Sequence, residues 1–527
     1  MAFRRTVALA SVVCACALAA QSTGAAGSRL PEAAARAVER VSAADLRSDV
    51  ERLASDDFAG RGVGDAGNRA AEAFICDSFQ RHGVTPAGAD GSCYQPFEVY
   101  RPELGPGARL SVSAGDGRTL ADLAAGTEFY PIAETGDASA TGPLVFVQHG
   151  ITAPQFQHDD YARVNARGAI VLALESAPVD LFRGAGAGVD PGPVSSVERK
   201  ITDAVAHGAR GLIVVSGYLS DVDDVWPKHP SVRASNYRRL SELRAQPMPV
   251  ATISTSAAAP LRRALEERQA LTATLTPDLV ASPVVIHNVL GIVEGRDKSR
   301  RGEMVVVGAH LDHDGTDADG RIYNGADDNA SGTAAVLGAA AAFVRAAADG
   351  ERPARAVLFA LWNAEEKGEL GAEAFVESPQ PARRTVANLN LDMVGRHEEV
   401  RDPSDWRFQG FKKIDPAASA NTVHVIGYSY APDLAVEVRE ANDAVGLKLL
   451  EDYDRGAQDL LHRSDNWPFL AHGIPALFLT TGLHPDYHTP DDDVEKIDFD
   501  KLARITRLAA RAAWIMADGR EPRMVRK

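Results

Sequence analysis

The stretch of residues 305–332, VVVGAHLDHDGTDADGRIYNGADDNASG, limits what this chain can fold into more than any other. It begins with a run of β-branched apolar residues at 305–307, which predicts a buried strand. A loop rich in Gly, Asp and Asn follows, and the apolar segment at 334–348 then predicts a helix. A buried strand that leads through a polar loop into an apolar helix is typical of an α/β protein with a covered sheet.

Two side chains at the end of this strand point to metal binding. His310 and Asp312 are two residues apart, so on an extended segment they share a face, whereas His313 points away. An imidazole beside a carboxylate at the C-terminal end of a strand is a common way to hold a metal ion and orient its ligand. A loop of solvated aspartates is the alternative, and it weakens as acids and histidines accumulate at other strand ends.

Strand-like runs and helical segments alternate along the last part of the chain. Strands are predicted for VIHNVLGIVEG, EMVVVGAHLDH, AVLFALWNAEE, VANLNLDMVG, TVHVIGYS and PALFLTTG. Helices are predicted near residues 330–347, 367–377, 432–445, 465–472 and 499–517. This alternation predicts the α/β class, with a mixed, mostly parallel sheet sandwiched by helices and functional residues at the strand ends.

The chain, 527 residues long, is long enough for two globular units behind an N-terminal processing signal. Residues 1–26 read as a signal peptide, because two arginines precede an apolar run that is too short to span a bilayer. Residues 40–139 are expected to hold N-terminal helices and the start of the main domain. Residues 140–278 form a strand-rich unit without a cluster of acids and histidines, and 283–518 form the rest of the main domain.

Net charge and hydropathy limit the classes of binding partner and the cellular location that we expect for this protein. A net charge of −16 without a basic stripe argues against nucleic acid or an anionic membrane as a partner. After the signal, the sequence predicts no transmembrane segment. The mature protein is therefore expected to be exported to a periplasmic or extracellular location. Without the signal, only Cys76 and Cys93 remain, and the sequence leaves open whether they pair or stay as free buried thiols.

Four of the predicted strands end in acids or histidines. After the strand that leads to His310, the others are followed by Glu365 and Glu366, by Asp392, and by a loop that contains His484, Tyr487 and His488. Each has an ordinary explanation alone, as a helix start, a strand cap or a loop histidine. Together at one sheet edge they would cost several kcal/mol each if left unpaired, and a pair of divalent metal ions removes that conflict.

The types of side chain indicate the kind of metal. Imidazole and carboxylate without thiolate suit Zn²⁺, with Co²⁺ or Mn²⁺ as options. Two four-coordinate ions need one bridging carboxylate and water in the open positions, and such pairs lie about 3.5–4 Å apart. The five candidate ligands are His310, Asp327, Glu366, Asp392 and His488. One of Glu365 and Glu366 would remain as a general base, and spacing alone does not say which.

Five ordered motifs carry a family resemblance: GAHLDHDG, YNGADDNASG, WNAEEKGELG, NLNLDMVG and DYHTPDD. Together they resemble the M28 family of dizinc aminopeptidases, and residues 140–278 resemble the protease-associated (PA) domain that is often inserted in that family. The resemblance covers nearly the whole mature chain and implies a zinc exopeptidase fold in which the helices before residue 100 pack with the catalytic domain.

The resemblance also implies a role for each site residue. One zinc is expected on His310 and Asp392, the other on Glu366 and His488, with Asp327 as the bridge. The other roles implied are Glu365 as general base, Asp312 as the partner that orients His310, and Tyr487 as donor to the oxyanion. A cis peptide bond between Asp327 and Asp328 is implied as well.

The chain departs from the family at one motif. Many relatives carry an SDH triplet where this chain has Ser464, Asp465 and Asn466, which leaves the five ligands intact but puts a supporting role at that position in doubt. Three further histidines remain rivals as ligands: His313, His462 and His484.

The expected function is that of an aminopeptidase, which hydrolyses N-terminal residues from peptides with a free N-terminus. The same fold and metals would serve a carboxypeptidase or another amidohydrolase. That reading requires a basic pocket for a terminal carboxylate, and no arginine cluster stands out beside the motifs. A glutaminyl cyclase would need one zinc, and a non-catalytic binding ectodomain would be expected to have lost ligands. Oligomeric state and side-chain preference stay open.

Overall fold

The structure is a computed structural model of the chain. It describes residues 30–525 except 133–134, 176, 179–180, 182–195, 216–236, 240–245, 318, 404, 409 and 456–457. The predicted signal peptide, residues 1–26, lies outside the described residues.

Strands account for two large sheets and two short hairpins. In chain order they are β1 (Thr85–Pro86), β2 (Tyr94–Leu104), β3 (Arg109–Ala114), β4 (Thr119–Leu123), β5 (Phe129–Pro131), β6 (Ala140–Phe146), β7 (Thr152–Ala153), β8 (His158–Asp159), β9 (Ile170–Leu174), β10 (Gly211–Val215), β11 (Val250–Ile253), β12 (Leu271–Thr276), β13 (Leu279–Val293), β14 (Glu303–His310), β15 (Gly315–Thr316), β16 (Ile322–Tyr323), β17 (Ala356–Trp362), β18 (Arg384–Leu391), β19 (Thr422–Ile426), β20 (Lys448–Leu450) and β21 (Ala476–Thr480).

Helices flank both sheets. In chain order they are α1 (Glu32–Glu39), α2 (Ala43–Leu53), α3 (Ala66–His82), α4 (Val197–Ala206), α5 (Thr255–Glu266), α6 (Gly332–Ala348), α7 (Leu370–Glu377), α8 (Pro416–Ser419), α9 (Pro432–Asn442), α10 (Asn466–Ala471) and α11 (Phe499–Asp518).

The main sheet has nine strands, ordered β1-β13-β17-β14-β18-β21-β19-β20, with β2 paired to β13. Its four central strands, β17, β14, β18 and β21, are parallel. At the two borders of this group, β13 pairs antiparallel with β17 and β19 pairs antiparallel with β21. The α/β class and the mixed sheet are therefore confirmed. All the C-terminal ends of the parallel strands meet at one edge, which is where such folds place their sites.

Helices cover both faces of the main sheet, and its central strands β14, β17 and β18 are accordingly buried along almost their whole length. On one face, α6 and α11 lie in a core built mainly from Ala, Val and Leu, together with α1, α2, α3 and α9. On the other face, α7 and α10 pack around Trp362, Phe375 and Phe469. The two packed layers cover the faces of the sheet, and the acids and histidines described below lie at its strand ends.

The chain leaves the main sheet through β2 and returns through β13, and these two strands pair antiparallel from Tyr94↔Val289 to Leu104↔Leu279. The residues between them form a second, eight-stranded sheet, ordered β4-β3-β12-β6-β9-β10-β11-β5. We call residues 105–278 the inserted unit. Its sheet begins at Arg109, earlier than the boundary at 140 suggested by the sequence.

The inserted unit has hydrophobic cores of its own. One side of its sheet packs around Phe129, Leu172 and Leu261, and the other around Val171, Ile201 and Leu212. The helices before residue 100 do not join it, since Ala71, Ile75 and Phe79 of α3 belong to the core of the main domain.

Cys76 and Cys93 form a disulfide bond that links α3 to the residue before β2. Both cysteines are buried. The question that the sequence leaves open is thus answered in favour of pairing.

One segment among the described residues, Ala326–Ala348, is long and apolar enough to cross a membrane by length and composition. Of its most apolar window, 78% is buried inside the fold. It contains α6, which packs against α1, α3 and α11 in the main core, and a buried core helix passes the same test.

Candidate metal centre

The four parallel central strands deliver the acids and histidines of the site to one sheet edge. His310 is the last residue of β14, and Asp392 directly follows β18. Glu365 and Glu366 begin a short 3₁₀ turn after β17, and His488 lies in the loop after β21. These residues are far apart in the sequence but lie together at this edge of the sheet, as the sequence analysis expects.

Asp328 lies between the two imidazoles. Its Oδ1 is 3.3 Å from His310 Nε2, and its Oδ2 is 3.2 Å from His488 Nε2. Asp392 Oδ1 approaches the same atom of His310 at 3.3 Å, and Glu366 Oε2 approaches His488 Nε2 at 3.3 Å. One carboxylate thus faces two separate donor groups, each completed by one histidine and one more acid.

These distances fit two zinc ions. Ligand atoms about 2.0–2.1 Å from a tetrahedral ion are separated from each other by about 3.3 Å, which matches the spacing in both groups. Three protein ligands and one open position are the usual arrangement of a catalytic zinc site. His310 Nε2 and Asp392 Oδ1 are buried without a hydrogen-bond partner, as expected of atoms reserved for a cation.

The structure contradicts two expectations about the loop before α6. The acid between the imidazoles is Asp328, so the assignment of Asp327 as the bridge is wrong. Asp327 Oδ1 instead accepts a hydrogen bond from Gly395 N at 2.6 Å, and its Oδ2 lies 3.4 Å from His484 Nε2. The cis peptide bond joins Asp328 to Asn329 rather than Asp327 to Asp328. Both expectations are off by one residue: the bridging acid and the cis peptide bond each lie one position later in the chain than expected.

A buried acid holds the backbone of this loop in place. Asp492 Oδ2 accepts hydrogen bonds from the backbone N–H groups of Asp327 and Asp328, both at 3.0 Å. Asn329 fixes the other side, because its Nδ2 donates to Leu391 O and its Oδ1 accepts from Gly332 N. The position of the Asp328 carboxylate is thereby set by neighbours that do not touch the metal positions.

Arg61 clamps the same loop from the N-terminal part of the chain. Its guanidinium, which is 1% exposed, donates to Leu311 O at 2.8 Å, Asn324 O at 2.7 Å and Gly325 O at 2.9 Å. The arginine belongs to the glycine-rich turn FAGRGVGDAG. Gly60 in that turn has φ +69°, and a Cβ there would lie 2.4 Å from Gly315 O, so only glycine allows this close approach.

Asp312 organises the turn that carries the two glutamates. Its carboxylate accepts from Glu365 N at 3.1 Å and Glu366 N at 3.3 Å. His310 Nδ1 donates to the backbone carbonyl of Asp312 at 3.2 Å and lies 4.0 Å from its carboxylate. The residue therefore contacts both His310 and the glutamate turn, the latter through hydrogen bonds that the sequence did not suggest.

Two further residues of the HLDHD motif support the ligands. His313 Nδ1 donates to Glu366 Oε1 at 2.7 Å, which leaves Glu366 Oε2 directed at His488. Asp314 Oδ2 lies 3.2 Å from His488 Nδ1, the pairing that normally orients a metal-bound imidazole. Sequence reasoning kept His313 as a rival ligand and missed Asp314, although both stand in the motif that it singled out.

Ser464 fixes Asp392. Its hydroxyl donates to Asp392 Oδ2 at 2.7 Å and accepts from Asn390 Nδ2 at 2.8 Å, so the free oxygen Oδ1 faces His310. Asn466, which replaces a histidine of the family triplet, donates to Leu461 O at 3.0 Å and supports the local backbone. The remaining rival histidine, His462, pairs with Asp459 and packs against Trp467.

The excess of carboxylates at the site favours the binding of cations. Burial raises the pKa of Glu365 well above its usual value, and the nearby Glu366, Asp465 and Asp392 add to that effect. Burial alone would lower the pKa of His310, but the carboxylates of Glu365 and Asp392 outweigh it and raise that pKa. Several acids compete for few positive partners here, and divalent ions would relieve their repulsion.

A cavity opens beside these groups. Tyr487 lines it together with Glu365, and burial raises the pKa of the Tyr487 phenol from its usual value. Arg463 Nη2 donates to Tyr487 Oη at 3.1 Å. Because the phenol oxygen already accepts this bond, its own hydrogen remains available to a substrate.

Residues 288–513, which carry every ligand position described above, match the profile described as "Peptidase family M28". These residues form a peptidase family M28 domain. The M28 domain includes the central parallel strands and the loop before α6, and the inserted unit precedes it in the chain.

Curated relatives of the chain include peptidases of two kinds. It is 27% identical over 392 residues to a probable glutamate carboxypeptidase, AMP1, of Arabidopsis thaliana. The aligned region covers 68% of this chain and 50% of the relative. It is 29% identical over 238 residues to a probable leucine aminopeptidase of Arthroderma benhamiae, which covers 44% of this chain and 57% of the relative. The chain thus spans only about half the length of these relatives.

Solved structures share the fold over most of the chain. An aminopeptidase from Aneurinibacillus sp. strain AM-1 superimposes with a TM-score of 0.59 at 19% identity, over 93% of this chain and 97% of that one. A zinc aminopeptidase from Bacillus subtilis superimposes with a TM-score of 0.53 at 20% identity, over 89% and 94%. At this level of identity the likeness establishes the fold.

Proposed function

We propose that the protein is a zinc-dependent aminopeptidase that removes N-terminal residues from peptides at a two-metal site. The observation that carries the proposal is the position of Asp328, whose two carboxylate oxygens face the Nε2 atoms of His310 and His488 at 3.3 Å and 3.2 Å. The match of residues 288–513 to the profile of peptidase family M28 supports the same reaction class.

His310, Asp328 and Asp392 would hold one ion, and Glu366, His488 and Asp328 the other. When bound, two zinc ions would supply Lewis acidity and lower the pKa of a water molecule toward ~7. Co²⁺ or Mn²⁺ would suit the same ligands. Asp314, His313 and Ser464 keep the ligand atoms directed at these positions through the contacts described above.

Glu365 is proposed as the general base. Its Oε2 lies 3.8 Å from His310 Nε2, beside both donor groups but outside them, and its backbone N–H is held by Asp312. The carboxylate would take a proton from the attacking water and return it to the leaving amine, a role worth about 10²–10⁴-fold in rate. The pKa raised by burial favours a group that accepts a proton readily.

Tyr487 is proposed to stabilise the oxyanion. The hydrogen bond from Arg463 fixes the phenol oxygen and leaves its proton free for the carbonyl oxygen of the substrate. The free α-amino group of the substrate would bind among the acids of the site, which favours cleavage at the N-terminus.

A carboxypeptidase of the same family is the second candidate. It is favoured by the similarity to a probable glutamate carboxypeptidase and by Arg463 in the cavity wall, which offers a positive group to a terminal carboxylate. A binding protein without activity is disfavoured because each donor group keeps its histidine and acids.

A tripeptide in three forms separates these candidates: free at both ends, N-acetylated, and C-amidated. We expect the purified protein to release the N-terminal residue from the free and amidated forms and to leave the acetylated form intact. Cleavage of the acetylated form but not of the amidated one would favour the carboxypeptidase. Chelation should abolish turnover, and Zn²⁺ should restore it; activity that survives chelation would contradict the proposal.

Two accompanying proposals concern the rest of the chain. We propose that residues 1–26 direct export to a periplasmic or extracellular location, which suits the disulfide bond between Cys76 and Cys93. We also propose that the inserted unit is a PA domain that allows only short peptides to reach the site. Its Arg239 contacts Glu373 at 3.4 Å and pairs with Glu377, so the unit touches α7, which follows the glutamate turn.

A further inference from the structure

Arg463 is part of the wall of the cavity that contains the metal positions. It lies directly after the 3₁₀ turn Leu460–His462, two residues before Asp465. The lining of the cavity combines acidic residues with mainly apolar ones. The acidic residues are Asp328, Glu365, Glu366 and Asp392, and the mainly apolar group is Met393, Leu460, Phe478, Thr480 and Leu483. Arg463 is the one cationic side chain, apart from His488, among the described residues of this lining.

The guanidinium of Arg463 has no acidic partner among the residues that the structure describes. No carboxylate oxygen of the described residues lies within 4.0 Å of it, and its recorded side-chain hydrogen bond is the one from Nη2 to Tyr487 Oη. Two arginines near the same loop differ in this respect. Arg396 pairs with Asp486 at 2.8 Å, and Arg407 pairs with Asp405 at 2.7 Å. Within the described part of the chain, four of the five side-chain N–H donors of Arg463 have no acceptor.

An unpaired guanidinium in a half-buried wall is unfavourable unless a ligand completes it. The planar fork of arginine matches a carboxylate with two parallel hydrogen bonds. A carboxylate that entered the cavity without such a partner would be repelled by Glu365, Glu366 and Asp392. Arg463 is therefore the one cationic side chain of the described lining that is not itself a proposed metal ligand, and it can favour a negatively charged part of a substrate.

We propose that Arg463 binds a carboxylate of the substrate, so that the enzyme favours peptides with an acidic group next to the scissile bond. Two sources fit this chemistry: the side chain of an N-terminal Asp or Glu, and the C-terminal carboxylate of a dipeptide. The inference rests on the proposed peptidase function and specifies its substrate class. A purely supporting role, in which Arg463 only fixes the Tyr487 phenol, is the competing explanation.

Four substrates separate these explanations: Leu-p-nitroanilide, Glu-p-nitroanilide, the dipeptide Leu-Leu and its C-terminal amide Leu-Leu-NH₂. Arg463→Gln should lower kcat/KM for a carboxylate-bearing substrate by roughly 10–100-fold more than for its neutral counterpart, because charged hydrogen bonds contribute on that scale. A selective loss for Glu-p-nitroanilide identifies the side chain as the source. A selective loss for Leu-Leu identifies the C-terminal carboxylate.

Tyr487→Phe serves as the matched control, since it removes the phenol hydroxyl and keeps the guanidinium of Arg463. We expect it to lower kcat/KM for all four substrates by a similar factor. If Arg463→Gln does the same, or changes none of them, the carboxylate proposal is overturned. Arg463→Lys, which keeps the charge but not the fork, provides a second variant if the glutamine variant does not fold, and it should show a weaker selective loss.

The parent protein separates this failure from failure of the proposed function. Hydrolysis of the neutral substrates Leu-p-nitroanilide and Leu-Leu-NH₂ with zinc present supports the aminopeptidase whatever Arg463 does. If the zinc-loaded parent cleaves none of the four substrates, both the aminopeptidase and the inference drawn from it are rejected.

Discussion

Asp327 and Asp328 are neighbours in the chain, but their carboxylates lie in different surroundings. Asp328 faces the imidazoles of His310 and His488, whereas Asp327 accepts a hydrogen bond from Gly395 N and lies 3.4 Å from His484. The two backbone N–H groups share one acceptor, Asp492. One of the two acids is therefore placed to bridge two metal ions, and the other to support the loop that carries it.

This difference predicts unequal effects of the same substitution. Asp328→Asn should reduce the zinc bound per chain and lower kcat by about 10²–10³-fold, because the bridging carboxylate contributes to both metal positions. Asp327→Asn should keep both ions and most of the activity. Metal analysis after gel filtration, alongside peptide hydrolysis, measures both effects. Equal metal loss in the two variants would contradict the assignment of Asp328 as the bridge.

Glu365→Gln should abolish proton transfer while leaving the ligands in place. We expect kcat to fall by about 10²–10⁴-fold with zinc content unchanged. Glu369→Gln is a close control, since burial raises the pKa of Glu369 to about 8 and the amide resembles its protonated form. That variant should retain most activity. A Glu365→Gln variant with parental turnover would reject the carboxylate as the base.

Ser464→Ala should weaken the metal position that Asp392 completes. The hydroxyl fixes Asp392 Oδ2, and loss of such an outer contact typically lowers metal affinity by about 10–100-fold. Chelator competition measures the affinity, and activity should return at saturating zinc. Ser464→Thr keeps the hydroxyl and should restore the parental affinity. An alanine variant with unchanged affinity would show that Asp392 is held by other contacts.

His424 predicts a loss of stability at alkaline pH. Burial alone would lower the pKa of His424, but hydrogen bonds with Asp452 and Glu398 outweigh it and raise the pKa to about 9, from 6.5. A raised folded-state pKa stabilises the fold fully below pH 6.5, and that contribution is lost as the pH rises through 9. The free energy of unfolding should fall by about 3 kcal/mol over this range.

Denaturant unfolding of the parent and of His424→Gln at a series of pH values checks this prediction. The glutamine variant should be less stable near pH 6.5 and should lose less stability on the way to pH 9. His472→Gln, at an exposed histidine, is the control for general effects of removing an imidazole. Equal slopes for the parent and His424→Gln would contradict a charged, ion-paired His424.

The central strands were predictable because strands buried on both faces read as short, continuous apolar runs rich in β-branched residues. The helices near 367–377, 432–445 and 499–517 correspond to Leu370–Glu377, Pro432–Asn442 and Phe499–Asp518. The start of the inserted sheet was less visible. Its first strands, such as Arg109–Ala114, are short and partly exposed, so they lack the apolar signal of a core strand.

The site was predictable where one acid or histidine stands alone at a strand end, as with His310 and Asp392. It was not predictable at the adjacent pair Asp327 and Asp328, where the wrong acid was expected to face the two imidazoles. The direction of Asp328 depends on the Asp492 and Arg61 contacts to the loop backbone, which join residues far apart in the chain. The roles of Asp314 and Arg463 likewise depend on tertiary neighbours, His488 and Tyr487, that spacing does not reveal.

The central claim is that two metal ions share Asp328. A crystal structure of the zinc-loaded protein, with anomalous diffraction recorded on both sides of the zinc absorption edge, tests it most directly. We predict two zinc peaks about 3.5–4 Å apart. One should be bound by His310, Asp328 and Asp392, and the other by Asp328, Glu366 and His488. A single peak, or two peaks that do not both contact Asp328, would contradict this account.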